Sequence, residues 1–359
     1  MTIWEAIIQG IIQGLTEFLP VSSSGHVSIA QHFLHLNGDG AQAFTMFLHF
    51  GTLIAVFVAY REVIWDLIVE FCLMVRDLCL DLWDRIKGRS GSKKRFEWKL
   101  DKMGELRRMV VFVILACACA ILLFLPLFGF LGLYGADGEK VKTLADLSEY
   151  TSEDASILLE GLCLLVTGFL LIYATRLARE RENSKNPGSG ELTVKSSVAM
   201  GIGQCIAALP GLSRSGTTTT LGMINGVEKN KALEFSFIIG IPAVLASNVL
   251  EVASMSDSDW NEFQIAPVLV GVLVAAIVGI LAIAGLRWIV TNDKLHYFGY
   301  YCLAAGAIVI VVALIEVATG CNGGVDANEM LMAASATDAV TSFSDAAASL
   351  ADVVSSTVA

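Results

Sequence analysis

The chain has 359 residues, of which 55% are hydrophobic and 16% are charged, and its formal net charge is −11. With a mean hydropathy of +0.66, it is too apolar for a soluble domain. The excess of acidic side chains argues against a nucleic-acid partner, and apolar runs long enough to cross a bilayer predict a polytopic membrane protein.

Six apolar runs are long enough to be membrane spans, since about 20 helical residues cross the hydrocarbon core. In chain order they are 43–60, 109–134, 157–175, 233–250, 265–287 and 296–318. Two further stretches, 3–35 and 193–225, contain Leu-Pro, glycine and several serines, so each predicts a re-entrant helical hairpin that enters and leaves on one side. Such broken backbone is tolerated at membrane depth where it is buried in protein or lines a polar cavity. The predicted fold is therefore all-α, with six transmembrane helices and two re-entrant hairpins.

The two hairpins are copies of one another. Residues 9–26 read QGIIQGLTEFLPVSSSGH, and residues 200–217 read MGIGQCIAALPGLSRSGT, so a shift of 191 aligns glutamine, serines and glycine. Lysine and arginine are distributed unevenly along the chain. None precedes Arg61, and 12 of the 24 lie from Arg61 to Arg108. This asymmetry predicts a cytoplasmic 61–108 segment and places both termini on the outer side. Three spans then separate the hairpins, which predicts an inverted repeat with a site between its halves.

The predicted organisation has five parts. Residues 1–60 form the first half of the repeat, 61–108 a cytoplasmic or interfacial insert, 109–191 a pair of spans with a linker, 192–319 the second half with three spans, and 320–359 an acidic, disordered tail. The insert contains the amphipathic run IWDLIVEFCLMVRDLCLDLWDRI. That run suits a helix lying on the inner face against anionic lipid, and equally a solvated helical hairpin.

A polar stripe in the first hairpin contains the first candidate site residues. Glu5, Gln9, Gln13 and Glu17 recur every four residues on an otherwise apolar helix. A carboxylate costs about 2.5–3.5 kcal/mol at the bilayer centre, so Glu17 is expected to have a partner. An interfacial helix with a wetted face is the alternative interpretation.

Three serines follow the stripe and precede Gly25 and His26. Ser22, Ser23 and Ser24 would supply donors, the glycine a tight turn and the imidazole a means of moving a proton, which suits an oxyanion. A simple capping turn is the alternative, because serine after proline often begins a helix.

Arg214 is the strongest single signal in the second hairpin. It stands between Ser213 and Ser215 in an apolar stretch, where a permanent charge is costly unless it binds an anion or a carboxylate. Its planar guanidinium can donate two parallel hydrogen bonds to the oxygens of a phosphate. A structural pair with Glu17 is the alternative, and the two interpretations are compatible. Thr218 continues the hydroxyl run at a predicted helix N-terminus.

At these residues the sequence resembles the undecaprenyl-diphosphate phosphatase family of bacterial membrane enzymes, also known for bacitracin resistance. The matching stretches are QGLTEFLPVSSSGH at 13–26, PGLSRSGTT at 210–218 and EFSF at 234–237. The resemblance implies an enzyme of the bacterial inner membrane that removes the terminal phosphate of undecaprenyl diphosphate and so recycles a lipid carrier for cell-wall synthesis. A polyprenyl diphosphate and the bilayer would be its partners, and a homodimer is left open.

The resemblance also implies roles for individual residues. The catalytic positions fall on Glu17, Ser23, His26 and Arg214. The expected substrate contacts are Gln13, Ser22, Ser24, Ser213, Ser215 and Thr218. A divalent cation, Mg²⁺ or Ca²⁺, is expected at Glu17. Because Gln13 stands where many members have a second carboxylate, water and substrate phosphates would complete the coordination.

The implied reaction has open alternatives. Ser23 attacks the terminal phosphorus and gives its proton to His26 or Glu17, and water then hydrolyses the phosphoserine. Attack by Ser213 or by an activated water is a second route. The same architecture also suits an anion or lipid transporter. The combination of Glu17, Ser23 and His26 favours catalysis, because binding alone would not require it.

Overall fold

The computed structural model describes residues 2–33, 39–87, 99–125, 142–143, 157–184, 189–209, 211–254 and 265–319. Within these residues every regular element is helical, as predicted. The helices α1 to α11 are, in chain order, Ile3–Thr16, Ser23–Phe33, Asp39–Ala59, Arg61–Ile86, Glu105–Ala118, Ile157–Glu182, Val194–Ile206, Arg214–Ile224, Lys229–Ser254, Ile265–Thr291 and His296–Thr319. Two short 3₁₀ segments, Leu100–Lys102 and Cys119–Phe124, flank α5. The predicted disordered tail, 320–359, lies outside the described residues.

Five helices in the described part of the chain are long and apolar enough to cross a membrane. They are Glu105–Phe124, Leu158–Glu182, Lys229–Leu250, Ile265–Thr291 and His296–Ile315. Each overlaps one predicted span, although 126–134 of the run 109–134 lies outside the described residues. The predicted span 43–60 corresponds to α3, whose apolar part Phe44–Ala59 is shorter than 18 residues. The chain is therefore a multi-pass membrane protein, with five of the six predicted spans supported by helix length and composition.

Helices α1 and α7 begin with the same capping arrangement. The hydroxyl of Thr2 accepts the backbone N–H of Glu5, whose carboxylate accepts the Thr2 N–H in return. Thr193 and Ser196 repeat this reciprocal capping box at the start of α7. Thr193 and Ser196 lie 191 positions after Thr2 and Glu5, so the repeat extends to the N-cap residue of each hairpin.

Two helices connect elements that are far apart in the chain. Helix α10 packs against α1 and α3, and α5 packs against α7 and α9. Helices α6 and α11 approach closely: a Cβ atom on Gly168 would lie 2.8 Å from the carbonyl oxygen of Gly299. Small residues permit this approach between helices in lipid. These contacts join the helices in one bundle, and the segments that follow α1 and α7 come into contact.

A cluster of charges ties α6 and α9 to the turn between α10 and α11. Asp293 lies in that turn with a φ of 56°, in the left-handed region that aspartate tolerates. Its carboxylate accepts hydrogen bonds from Nε of Arg179 and, at 2.7 Å, from Nζ of Lys229. Lys229 also lies 3.0 Å from Glu182. Because the Lys229 side chain is buried, these two carboxylates compensate the loss of its hydration.

Candidate active site

The loops that follow α1 and α7 meet at an ion pair between Glu17 and Arg214. Glu17 is the C-cap residue of α1, and Arg214 is the first residue of α8. Nη2 of Arg214 donates to Oε1 of Glu17. The Arg214 side chain is 26% exposed and that of Glu17 is 7% exposed. The carboxylate is thus enclosed, while the guanidinium keeps an open side on which an anion can bind.

The second oxygen of Glu17 gathers three further polar groups. The Ser23 hydroxyl donates to Oε2 at 2.6 Å, and Nε2 of Gln13 donates to it at 3.0 Å. Nε2 of His49 lies 3.7 Å from the same oxygen. A hydroxyl at this distance from a carboxylate can pass its proton to it. Ser23 therefore has the geometry of a nucleophile, with Glu17 as its general base.

The guanidinium of Arg214 is held from its other side by α9. Nη1 of Arg214 donates to the carbonyl oxygen of Gly240 at 3.3 Å. A Cβ atom at Gly240 would lie 3.0 Å from Nη1 and 3.3 Å from Cζ of Arg214. The absence of a side chain at this position therefore leaves the space that the guanidinium occupies.

The two serine loops share one side-chain hydrogen bond, although φ is 70° at Ser22 and −67° at Ser213. Ser22 Oγ accepts the backbone N–H of Gly25 at 3.4 Å, and Ser213 Oγ accepts that of Gly216 at 3.1 Å. Both serines are buried. In each loop the serine hydroxyl therefore satisfies a donor at the start of the following helix.

Two hydrogen bonds connect the loops to each other. The backbone N–H of Gly211 donates to Ser24 Oγ at 3.3 Å, and the Ser215 hydroxyl donates to the carbonyl of Leu19 at 3.4 Å. The predicted contact residues Ser24 and Ser215 thus join the two hairpins beside the Glu17–Arg214 pair.

His26 is held in a defined tautomer by the first loop. Ser22 has a φ of 70°, and its carbonyl oxygen lies 2.8 Å from Nδ1 of His26. A carbonyl only accepts, so Nδ1 carries the proton, and Nε2 of the neutral ring accepts the Tyr301 hydroxyl at 2.7 Å. Both ring nitrogens therefore have partners other than Ser23.

Thr218 is turned away from the ion pair. Its hydroxyl lies 2.5 Å from Ser236 Oγ and donates to the carbonyl oxygen of Arg214 at 2.8 Å. The residue is fully buried. In this structure Thr218 fixes α8 against α9 rather than presenting its hydroxyl beside Glu17.

Three contacts of the site were not predicted from the sequence. His49 lies against Glu17, Tyr301 against His26 and Gly240 against Arg214. Gly240 has one signal in the sequence, since it lies 191 positions after His49. Tyr301 comes from α11, far along the chain, and no local pattern links it to His26.

The oxygen atoms available to a divalent cation come from Glu17 and Gln13. Oε1 of Gln13 is buried and has no hydrogen-bond partner. Because Nε2 is the amide atom that faces Glu17, this oxygen reaches the carboxylate once the amide turns over. Across the described ranges, no group of three or more histidine, cysteine, aspartate or glutamate side chains is placed to hold a metal ion. Two oxygens fit a cation that takes its other ligands from water and phosphate, as Mg²⁺ does.

Comparison with known proteins identifies the family of this chain. The family model described as "Bacitracin resistance protein BacA" matches residues 6–308. An undecaprenyl-diphosphatase of Alkaliphilus metalliredigens is 34% identical over 315 residues, which cover 88% of this chain and 100% of the relative. An undecaprenyl-diphosphatase of Methanobrevibacter smithii is 37% identical over 313 residues, which cover 87% of this chain and 98% of the relative. One from Corynebacterium jeikeium, named undecaprenyl-diphosphatase 2, is 32% identical over 311 residues, with 86% and 95% covered. The chain belongs to the bacitracin resistance protein BacA family.

Proposed function

We propose that this protein is an undecaprenyl-diphosphatase, which hydrolyses undecaprenyl diphosphate to the monophosphate and inorganic phosphate. The observation that carries the proposal is the contact of one carboxylate, that of Glu17, with both a serine hydroxyl and a guanidinium. This set supplies a nucleophile, a base and an anion-binding group within one site. The names of the relatives favour hydrolysis over the transporter alternative.

The first step is attack by Ser23 on the terminal phosphorus. The bond between Ser23 Oγ and phosphorus forms, the bond from that phosphorus to the bridging oxygen breaks, and undecaprenyl monophosphate leaves. Glu17 takes the Ser23 proton, because its Oε2 is 2.6 Å from the hydroxyl. Water then attacks the phosphoserine, releases inorganic phosphate and restores the hydroxyl.

Ser23 is favoured over Ser213 as the nucleophile by its neighbours. The Ser213 hydroxyl accepts the Gly216 N–H and lies 3.4 Å from Ser215 Oγ, and neither neighbour is a base. Ser213 is therefore assigned to shaping the second loop.

Arg214 and the loop serines bind the diphosphate. The open side of the guanidinium takes the phosphate oxygens bidentately, and this contact frees Glu17 from the ion pair. Ser22, Ser24 and Ser215 line the two loops around it. His26 holds the Ser22 carbonyl and so keeps the first loop in position.

A divalent cation would be held by Glu17 and by Oε1 of Gln13. When bound, Mg²⁺ or Ca²⁺ neutralises charge on the diphosphate. The unpartnered Gln13 oxygen supports this assignment.

The proposed setting is the bacterial inner membrane. α1–α2 and α7–α8 form the re-entrant hairpins, α3 is the sixth span, and the two halves are an inverted repeat. Within each hairpin the two helices pack against one another, which supports the arrangement. Both termini then lie on the outer side, opposite the lysine- and arginine-rich segment.

The test is phosphate release from a polyprenyl diphosphate by purified protein in detergent, with and without EDTA. Ser23→Ala should lower the rate by more than about 10³-fold, because it removes the attacking atom. Arg214→Lys keeps the charge but loses the fork, and should lower the rate by about 10²-fold. Thr291→Ala is the matched control, since its hydroxyl only caps its own helix at the carbonyl of Arg287. Absence of release by folded, monodisperse native protein would refute the proposal.

A further inference from the structure

Helix α4 turns several of its acidic side chains toward the bundle, while Glu62 and Asp66 near its start are exposed. The Glu70 carboxylate accepts a hydrogen bond from Nε of Arg107 at 2.6 Å, and that of Asp77 accepts one from Nη2 of Arg107 at 3.2 Å. The acidic residues that recur at the spacing of this helix face are Asp66, Glu70, Asp77, Asp81 and Asp84.

The opposite side of α4 is largely apolar and exposed, although it also carries the exposed Arg61 and Arg76. Its larger apolar side chains are Trp65, Ile68, Phe71, Val75, Leu82 and Trp83. Trp65 alone is 66% exposed. A surface helix of a soluble protein has the reverse arrangement, with apolar residues inside and charges outside. The outer surface of α4 therefore requires an apolar neighbour.

Helix α4 lies beside the bundle rather than beneath it. Leu67 and Met74 of α4 share one buried cluster with Val110 of α5 and Ile238 of α9. Val110 and Ile238 belong to two of the long apolar helices of the described chain. Because the inner face of α4 covers the flanks of these helices, its outer face looks sideways, toward the lipid that surrounds them.

The apolar surface of α4 continues that of α3. Only Tyr60 separates the two helices. Phe57 and Val58, at the end of α3, are exposed apolar residues, and Trp65 and Ile68 extend the same kind of surface onto α4. The lipid-facing surface of the bundle thus passes directly into the outer face of α4.

The far end of α4 has the side chains found at membrane interfaces. Nζ of Lys87 lies 4.6 Å from the ring centroid of Trp83. Tryptophan is enriched at the headgroup level, and lysine reaches from there toward water. These residues suit a helix whose far end remains in the interfacial region.

We propose that α4 lies sideways in one leaflet, with its apolar face against lipid acyl chains and its acidic face against α5. A second copy of the chain is the competing neighbour, because a coiled-coil seam with alternating steps of three and four is also present. Its members include Trp65, Ile68, Cys72, Val75, Cys79 and Leu82. The exposed Val69, Phe71 and Leu78 widen the apolar surface well beyond such a narrow seam, and this breadth favours lipid.

Two native cysteines allow a direct test, because Cys72 and Cys79 are both exposed in the middle of the apolar face. Two labelled proteins are prepared. The first carries an NBD fluorophore on Cys72, with Cys79 and Cys321 replaced by serine. The second carries it on Cys79, with Cys72 and Cys321 replaced by serine. The control carries the fluorophore at Asn292→Cys, in an exposed turn, and lacks all three of those cysteines. Each protein is placed in lipid nanodiscs, and mass spectrometry verifies single labelling. None of the labelled positions contacts the candidate active site, so phosphate release can be measured separately.

The expected result is several-fold stronger quenching of Cys72 and Cys79 by spin-labelled acyl chains than of the control, with aqueous iodide quenching only the control. Iodide quenching at Cys72 and Cys79 equal to that of the control would overturn the proposal in favour of a solvated hairpin. Protection from both quenchers, together with disulfide-linked dimers of the same single-cysteine chains oxidised without the fluorophore, would overturn it in favour of a second copy. Hydroxyl-radical footprinting of the unmodified chain provides a check without substitutions: Trp65 and Phe71 should stay unoxidised in nanodiscs, and their oxidation would contradict embedding.

Discussion

His49 and Gly240 are equivalent positions of the two halves, 191 residues apart, and each contacts one member of the Glu17–Arg214 ion pair. The imidazole of His49 lies beside the carboxylate, while the carbonyl of Gly240 accepts a hydrogen bond from the guanidinium. The two positions thus differ in chemistry but lie in corresponding places: His49 of α3 lies beside the charge of the first predicted hairpin, and Gly240 of α9 lies beside the charge of the second.

Gly240→Ala should displace Arg214 without disturbing the fold. The added Cβ would lie 3.0 Å from Nη1 of Arg214, and the end of a flexible side chain moves at little cost in stability. The guanidinium, the proposed phosphate-binding group, has to move by only a few tenths of an ångström, so the rate should fall by less than the about 10²-fold that a 1 Å misplacement costs. Gly285→Ala is the matched control, because no atom lies within 4 Å of the new Cβ. Steady-state phosphate release and thermal unfolding of both variants check the prediction, and equal rates for the two would contradict it.

Local chemistry could be predicted from the sequence because the repeat places equal residue types at equal spacing. Ser22 and Ser213 were identified from this pattern, and both cap the following turn as their spacing suggests. The pair Glu17–Arg214 was predictable for a different reason, since each charge in an apolar stretch requires a partner. Its two residues are 197 positions apart, and only this energetic argument joins them.

Helix ends and contacts between distant helices could not be predicted. Hydropathy indicates how long an apolar segment is, but not where its helix ends or which helices it packs against. The apolar run 157–175 predicted a span, but α6 continues to Glu182 through a charged turn that forms ion pairs at the end of the bundle. The contact between His26 and Tyr301 joins residues 275 positions apart, and a tyrosine in an apolar helix carries no signal of its own. The orientation of α4 depends on Arg107, which belongs to another helix.

Tyr301→Phe should test whether the His26 ring is positioned by its distal partner. Loss of the hydroxyl removes one hydrogen bond to Nε2, worth about 0.5–1.5 kcal/mol, and leaves the Nδ1 contact to Ser22 intact. The maximal rate should therefore fall by about 2- to 10-fold, with little change in KM. A Tyr300→Phe variant, exposed on the same helix, provides the comparison. A loss as large as that of Ser23→Ala would instead indicate a direct role for Tyr301 in the reaction.

Asp293→Asn should destabilise the protein at neutral pH and not at acid pH. Burial raises the pKa of Asp293, but its hydrogen bonds to Lys229 and Arg179 outweigh burial and hold that pKa below its usual range. A depressed pKa gives stability that is present above the unfolded value of about 3.9 and is lost as pH falls through the folded value. Asparagine tolerates the left-handed backbone at this position, so the comparison isolates the charge.

The measurement for Asp293 is the apparent Tm in detergent between pH 7 and pH 3. The native protein should be the more stable at pH 7, and the difference from Asp293→Asn should shrink as pH falls below the unfolded value of about 3.9. Asp101→Asn, at an exposed position, should match the native protein throughout. A difference that stays constant with pH would assign the effect to packing rather than to charge.

Gln13→Glu should make the site more dependent on a divalent cation and bind that cation more tightly. The amide Nε2 of Gln13 now donates to Glu17 at 3.0 Å, so a glutamate there would bring two carboxylates together and replace attraction by repulsion. A cation between them removes the repulsion and gains a second charged ligand. We expect the variant to have a lower Tm than the native protein in EDTA, and a larger rise in Tm on addition of Ca²⁺ or Mg²⁺. The cation concentration for half-maximal phosphate release should fall.

Gln9→Glu, one turn earlier on the same face, is the matched control, because Gln9 makes no hydrogen bond to Glu17. An equal response of both variants would assign the effect to added negative charge in the hairpin and would remove Gln13 from the proposed cation site.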